Sequence, residues 1–169
     1  MVALQEEASG HVGLARLESK DGMQLRRFFD RLSPETLYRR FHSPIMRPEQ
    51  AQPARLLDLD HHDREAVVAV SGGEIVGVAR YARVRGADTA EVAIVVADGW
   101  QRQGLATRML SALGELALEA GVRQFFLSMQ ADNAPVLRLV QRLYPDAALL
   151  HDQGLCETTV PIRGSHRWA

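Results

Sequence analysis

Between Val95 and Thr107 the chain reads Val-Val-Ala-Asp-Gly-Trp-Gln-Arg-Gln-Gly-Leu-Ala-Thr: the end of an apolar strand, a short polar loop and the opening of a helix. Such an opening suits an anion. The first turn of a helix presents unpaired backbone N–H groups and a partial positive charge, and residues with little side chain, here Gly104 and Ala106, let a phosphate come close. The same two residues have a plainer use, which is to let a helix lie tightly on a sheet, and the sequence leaves both readings open. His61-His62-Asp63 carries ligand-type side chains, but adjacent residues seldom converge on one ion. No Cys pair or His-Glu-x-x-His accompanies them, so a solvated loop is expected and no metal site. Cys156 has no His at a readable spacing and reads as a small core residue, not a nucleophile. Arg26-Arg27 and Arg39-Arg40 offer cationic pairs to an acidic substrate or a phosphate, against the favoured reading as the wet face of an amphipathic helix.

The elements that position the Val95–Thr107 segment follow from the hydrophobic period. His11 to Leu17 passes for a short strand, and Asp21 offers an N-cap to a helix with Leu25, Phe28, Phe29 and Leu32 at helical spacing. Ser33-Pro34 restarts a second helix carrying Leu37 and Phe41. Pro44, Pro48 and Pro53 break the next stretch, which keeps one short helix around Pro53 to Leu57. The period then changes to that of strands: Ala66 to Val70, a turn at Ser71-Gly72-Gly73, a strand from about Glu74 to Val84, a turn at Gly86-Ala87-Asp88, and a strand from Thr89 to Ala97. A long helix with Leu105, Met109, Ala112, Leu113, Leu116 and Ala120 on one stripe ends near Gly121. Gln124 to Met129 returns as a strand, Asp132 and Asn133 cap a helix bearing Val136, Val140 and Leu143, and Ala147 to Ile162 holds two short strands split by His151-Asp152-Gln153-Gly154. The expectation is an α+β domain over 11–162 with a mixed sheet of about seven strands, an antiparallel N-terminal meander and flanking helices. Residues 1–10 read as a loose leader and 163–169 as a tail.

Gln101-Arg102-Gln103-Gly104-Leu105-Ala106 resembles the Gln/Arg-x-x-Gly-x-Gly/Ala motif with which GNAT N-acetyltransferases grip the pyrophosphate of acetyl-CoA, and the element order is similar to that family from about residue 11 to 162. The run Leu32 to Phe41 and the phrase Ala90-Glu91-Val92-Ala93 resemble the acetyltransferase domains of bacterial Pat-type protein lysine acetyltransferases. The resemblance implies a GNAT fold and acetyl-CoA as co-substrate. It implies that backbone groups of Ile94 and Val96 pair with the pantetheine arm as an added strand would, and that the Ile94 N–H polarises the thioester carbonyl. It also implies that Gln101, Arg102, Gln103, Gly104, Leu105, Ala106 and Thr107 hold the pyrophosphate. Asn133 matches an Asn that many members set against the pantetheine arm; a plain N-cap is the alternative.

Glu91 matches the proposed general base of the Pat-like proteins. An ammonium must lose a proton before it attacks a thioester, and a carboxylate among Ala90, Val92, Ala93 and Ile94 is expected to be partly desolvated and so more basic. The alternative is a solvated strand residue, or one paired with Arg80 or Arg83 across the hairpin. The family's usual Tyr, seven residues after the Asn, is Val140 here, so either the thiolate leaves without a tyrosine proton or Tyr144 substitutes, against its plainer reading as a core residue.

The chain has 169 residues, 46% of them apolar, with Lys+Arg 20 against Asp+Glu 21. That balance excludes a global field drawing it to nucleic acid or an anionic membrane. No apolar run nears the roughly 20 residues of a membrane span, the N-terminus lacks a signal pattern, and one cysteine suits a reducing cytoplasmic setting. A Rossmann fold is set aside because Gly-x-Gly-x-x-Gly is missing and the strands before the loop are joined by tight turns. The expected activity is acetyl transfer from acetyl-CoA to a primary amine in a ternary complex, with a protein lysine as the favoured acceptor. A small amine and a non-catalytic acyl-CoA-binding module are the alternatives. Exposed sheet edges leave pairing into a homodimer open.

Overall fold

The computed structural model describes residues 12–41 and 53–164, so the leader, His11, Pro44, Pro48 and positions 165–169 of the tail lie outside the described residues. Seven strands form one sheet: β1 (Gly13–Arg16), β2 (Arg64–Ser71), β3 (Glu74–Ala82), β4 (Thr89–Val96), β5 (Gln124–Gln130), β6 (Leu150–Asp152) and β7 (Leu155–Pro161). The helices are α1 (Gly22–Asp30), α2 (Pro34–Phe41), α3 (Pro53–Leu56), α4 (Leu105–Glu119) and α5 (Ala134–Leu143). The strand order is β1-β2-β3-β4-β5-β7-β6, and every neighbouring pair is antiparallel except β4 with β5. This is the mixed α+β sheet expected from the change of period along the chain.

Alternation along the strands divides the core in two. On one face Val67, Ala69, Ala79, Tyr81, Ala90 and Val92 pack against Leu105, Met109, Leu113 and Ala117 of α4. On the other, Ala66, Val68, Val78 and Val95 pack against Leu25, Phe28 and Phe29 of α1 and Leu37 of α2. Both faces are covered, which is why β2 reads as an unbroken apolar run. α4 lies close on the sheet at Gly77, where an added Cβ would lie 2.7 Å from Met109 Cε.

Several boundaries differ from the sequence reading by a residue or two, among them the end of β3 and the last hairpin. β3 ends at Ala82, not Val84; the Arg83 N–H still donates to the Asp63 carbonyl at 3.0 Å, while its side chain donates from Nε to Asp63 Oδ1 at 2.8 Å and from Nη2 to the Ala120 carbonyl at 2.8 Å. The last hairpin turns on Gln153-Gly154 alone, both left-handed, so His151 and Asp152 belong to β6 and β7 extends over seven residues.

Candidate active site

β4 and β5 pair only at Thr89↔Gln124, Ala90↔Phe125 and Glu91↔Phe126. Beyond that point β4 stays in register with β3 as far as Val96↔Gly77, while β5 stays with β7 as far as Gln130↔Leu155. The two parallel strands therefore part after Glu91 and leave a wedge. The Ala97 N–H donates to the Val76 carbonyl at 2.9 Å, and backbone groups alternate in direction along a strand, so the amides of Val95 and Ala93 also turn toward β3. Those of Ile94 and Val96 turn into the wedge.

A loop and a helix mouth close the wide end of the wedge. Arg102 (φ 61°) and Gly104 (φ 76°) are both left-handed, and Gly104 is the N-cap of α4. An added Cβ at Gly104 would meet nothing within 4 Å, so this glycine serves the backbone turn and leaves open space before the helix, whereas tight helix-on-sheet packing falls to Gly77. The first amides of α4 carry no intrahelical bond, and its first turn holds no acidic side chain. Leu105 is 4% exposed and packs into the core, so it offers the mouth only its amide. Gln101 donates from Nε2 to the Val96 carbonyl at 3.0 Å and to Thr36 Oγ1 at 3.2 Å, and Gln103 donates to the Gly99 carbonyl at 3.0 Å.

Asp98 ties this loop to α2. Its carboxylate accepts from Ser33 Oγ at 2.6 Å, the Ser33 N–H at 3.1 Å and Thr36 Oγ1 at 2.9 Å. Burial pushes the Asp98 carboxyl up, but the hydrogen bonds from Ser33 and Thr36 outweigh it and hold the group below its ordinary value.

A cavity of about 730 Å³ joins these parts, running from Thr36, Arg39 and Arg40 of α2 past Ile94 and Val96 to the mouth of α4 and the first turns of α5. Of the residues expected to bind, Ile94, Val96, Gln101, Arg102, Gly104, Leu105, Ala106, Thr107 and Asn133 line it; Gln103 does not, its side chain being folded back on Gly99. Asn133 is the N-cap of α5, with Oδ1 accepting from the Val136 N–H at 3.5 Å, so the cap also lines the cavity. Sequence reading missed Arg138 and Arg142, which bring two cations to the mouth of α4; Arg142 Nη2 donates to Thr107 Oγ1 at 3.1 Å. Their spacing on a helix was the available signal, since residues four apart share a face.

Arg40 departs from the wet-face reading. It is half-buried, lines the cavity, and its guanidinium lies 4.7 Å from the centroid of the Phe41 ring. Glu91 departs from the expected desolvation. Its residue is exposed, because its apolar neighbours Ala90, Val92 and Ile94 face the α4 side of the sheet while only Thr89 and Ala93 share its own face. It stands at the root of the wedge, opposite Phe126 and outside the cavity lining, about 10 Å along the strand from Ile94. Arg83 is committed to Asp63, so the cross-hairpin pairing with Glu91 is not made by that residue.

Val140 packs with Met129 and Cys156, and Tyr144 is 7% exposed in the main core; neither lines the cavity. Burial pushes the Tyr144 hydroxyl up to about 12, and burial likewise raises the Cys156 thiol. His61 and His62 are bound to Glu65 (2.9 Å) and Asp63 (3.1 Å).

A parallel pair that splays into a wedge, with a left-handed glycine and an unpaired helix mouth at its wide end, defines a class of acyltransferase. The acetyltransferase (GNAT) family model matches residues 24–143, and this chain belongs to that family. It is 33% identical over 127 residues to Acetyltransferase PA5475 of Pseudomonas aeruginosa, covering 73% of this chain and 68% of that protein. It is 34% identical over 114 residues to Acetyltransferase Pat of Mycolicibacterium smegmatis, covering 66% of this chain, and spans only 34% of Pat. Among solved structures, the GNAT domain of S. lividans PAT superposes with a TM-score of 0.82 at 25% identity, over 90% of this chain and 91% of that one.

Proposed function

We propose that this acetyltransferase moves an acetyl group from acetyl-CoA to the side-chain amine of a protein lysine, by direct attack within a ternary complex in a reducing cytoplasm. The observation that carries the reading is the continuity of one cavity from the outward amides of Ile94 and Val96 to the open mouth of α4. The resident chain supplies donors in the order a long phosphorylated thioester needs them. Val96 offers its N–H to the pantetheine amide as a neighbouring strand would, its carbonyl being already taken by Gln101. The amides from Gly104 to Thr107, with Arg102, Arg138 and Arg142 around them, hold the pyrophosphate and the remaining phosphate. The resemblance of Leu32 to Phe41 and of Ala90-Glu91-Val92-Ala93 to Pat-type protein lysine acetyltransferases supports lysine as the acceptor.

The thioester provides an activated carbonyl with a stable thiolate as leaving group. Ile94 donates its N–H to the oxygen on which negative charge grows as the amine nitrogen bonds to the carbonyl carbon. Glu91 accepts the ammonium proton, and its distance along the strand from Ile94 calls for a water between them. As the C–S bond breaks the sulfur takes the electron pair and the bonded nitrogen sheds its second proton to water, which can pass it to the thiolate; with Val140 and Tyr144 both turned into the core, no tyrosine proton reaches the sulfur.

The test is thiol release from acetyl-CoA with lysine peptides and small amines, comparing wild type with Glu91→Gln. Turnover on peptides that falls about 10²-fold or more in Glu91→Gln carries the reading; binding of acetyl-CoA without any acceptor-dependent release overturns it.

A further inference from the structure

We infer that Arg40 and Arg80 form an anion subsite beside Glu91, which selects acceptor lysines that have an acidic residue close by. The inference rests on the lysine-acceptor reading above and narrows it.

Register places Arg80 next to Glu91. Arg80 pairs with Ala93 and Ala82 pairs with Glu91, so Arg80 and Glu91 are diagonal neighbours on one face of the sheet, a separation of about 7–8 Å. Arg40, in the last turn of α2, lines the cavity with Ile94 and Val96, and Arg80 and Glu91 stand outside that lining on the same side of the sheet as α2. Burial first, then Arg80, pushes Arg40 down to about 10 against the opposing pull of Glu91, while burial and then Arg64 lower Arg80 against Asp58 and Glu91.

Arg64, the next cation on this face, is paired with Asp58 at 3.3 Å and Asp60 at 3.1 Å. Among the described residues, Arg40 and Arg80 make no such ion pair, and the buried Nε of Arg80, like that of Arg64, has no hydrogen-bond partner. Glu91 acts on both half-buried cations, and the other carboxylate acting on Arg80, Asp58, is already paired with Arg64. A buried, unpaired donor on a charged group is costly, and self-repulsion between the two arginines adds to that cost. The arrangement gains when an anion arrives, because guanidiniums bind carboxylates through short, charge-assisted and often bidentate bonds. It also matters for the amine. A bare ammonium approaching Glu91 meets two positive charges beside it, whereas an acceptor carrying a carboxylate a few bonds from the ammonium satisfies Glu91 and the arginines together.

The test uses three fluorescent peptides of equal length with one lysine flanked by Asp, Ala or Arg, titrated against the full chain saturated with CoA at low salt. Wild type is expected to bind the Asp peptide at least 10-fold tighter than the Ala peptide and the Arg peptide weakest. In Arg40→Gln and in Arg80→Gln that preference falls below about 3-fold, and in Arg40→Lys it is retained in part. Equal binding of the three peptides by wild type overturns the subsite without recourse to any variant, so misfolding of an Arg80 variant does not blunt the result. Thiol release is read in parallel. Release from all lysine peptides regardless of flank sinks the subsite alone, whereas release only from free amino acids, with no peptide acetylated, sinks the lysine acceptor.

Discussion

The side-chain amide of Gln101 donates to the Val96 carbonyl at 3.0 Å. It thereby occupies one backbone group on the free edge of β4 and, through Thr36 at 3.2 Å, fastens that edge to α2. The free edge is thus held in an extended shape before any ligand adds to it. Gln101→Ala is expected to raise the KM for acetyl-CoA several-fold with little change in kcat, since a neutral hydrogen bond is worth about 1 kcal/mol, or roughly fivefold. Steady-state kinetics at saturating acceptor separates the two constants.

Gly104 is needed for its φ of 76°, and the space before it is open. Gly104→Ala is therefore expected to cost about 1–2 kcal/mol through backbone strain, read as a Tm lower by roughly 3–6 °C, while leaving measurable CoA binding. Gly104→Glu would put a carboxylate where a phosphate is to sit and is expected to abolish binding in calorimetry. Equal affinities for the two variants would remove the phosphate from this helix mouth.

Asp98 gives the fold a pH dependence with a defined sign. Its folded carboxyl lies below the ordinary 3.8 despite the opposing push of burial, because Ser33 and Thr36 donate to the ionised form. The stabilisation is present above about pH 4 and is lost as pH falls through the lowered folded value. Urea midpoints should therefore drop between pH 5 and pH 3 in wild type and drop less in Asp98→Asn, which starts from a lower midpoint at pH 6. A variant with the wild-type slope would show that Asp98 carries none of it.

Gly77 lets α4 approach the sheet, and Met109, fully buried, fills the space over it. Gly77→Ala is expected to destabilise by about 1–3 kcal/mol as an overpacking change, with part of the loss recovered by Met109→Leu, which removes the terminal methyl. Denaturant unfolding of the single and double variants measures the coupling.

How far the sequence could be read follows from how local each signal was. The switch from period 2 to period 3.6 across Gly104 marks the β4–α4 junction, and α4 indeed begins at Leu105. The expected burial of Glu91 is not found because its sequence neighbours are not its spatial ones: Ala90 and Val92 stand on the other face of the strand. Arg40 and Arg80 lie on separate elements, and the charge of Arg80 reaches Arg40 only through the packing of α2 on the sheet, so no spacing rule could have joined them. What Ile94 and Val96 offer the wedge is backbone atoms, whose direction depends on a register that only the assembled sheet fixes.

The three residue pairs between β4 and β5 are the narrowest seam in the molecule's sheet that carries two long strands, against seven pairs between β5 and β7. One block of strands, β1 to β4, and another, β5 to β7, are thus stitched together over a short length, with α4 bridging from one to the other. A bound chain lying in the wedge would act as a rivet between the halves. Deuterium uptake should divide along that line, with the amides of Ile94 and Val96 exchanging sooner than those of Ala93 and Val95, which turn toward β3, and slowing most when CoA is added.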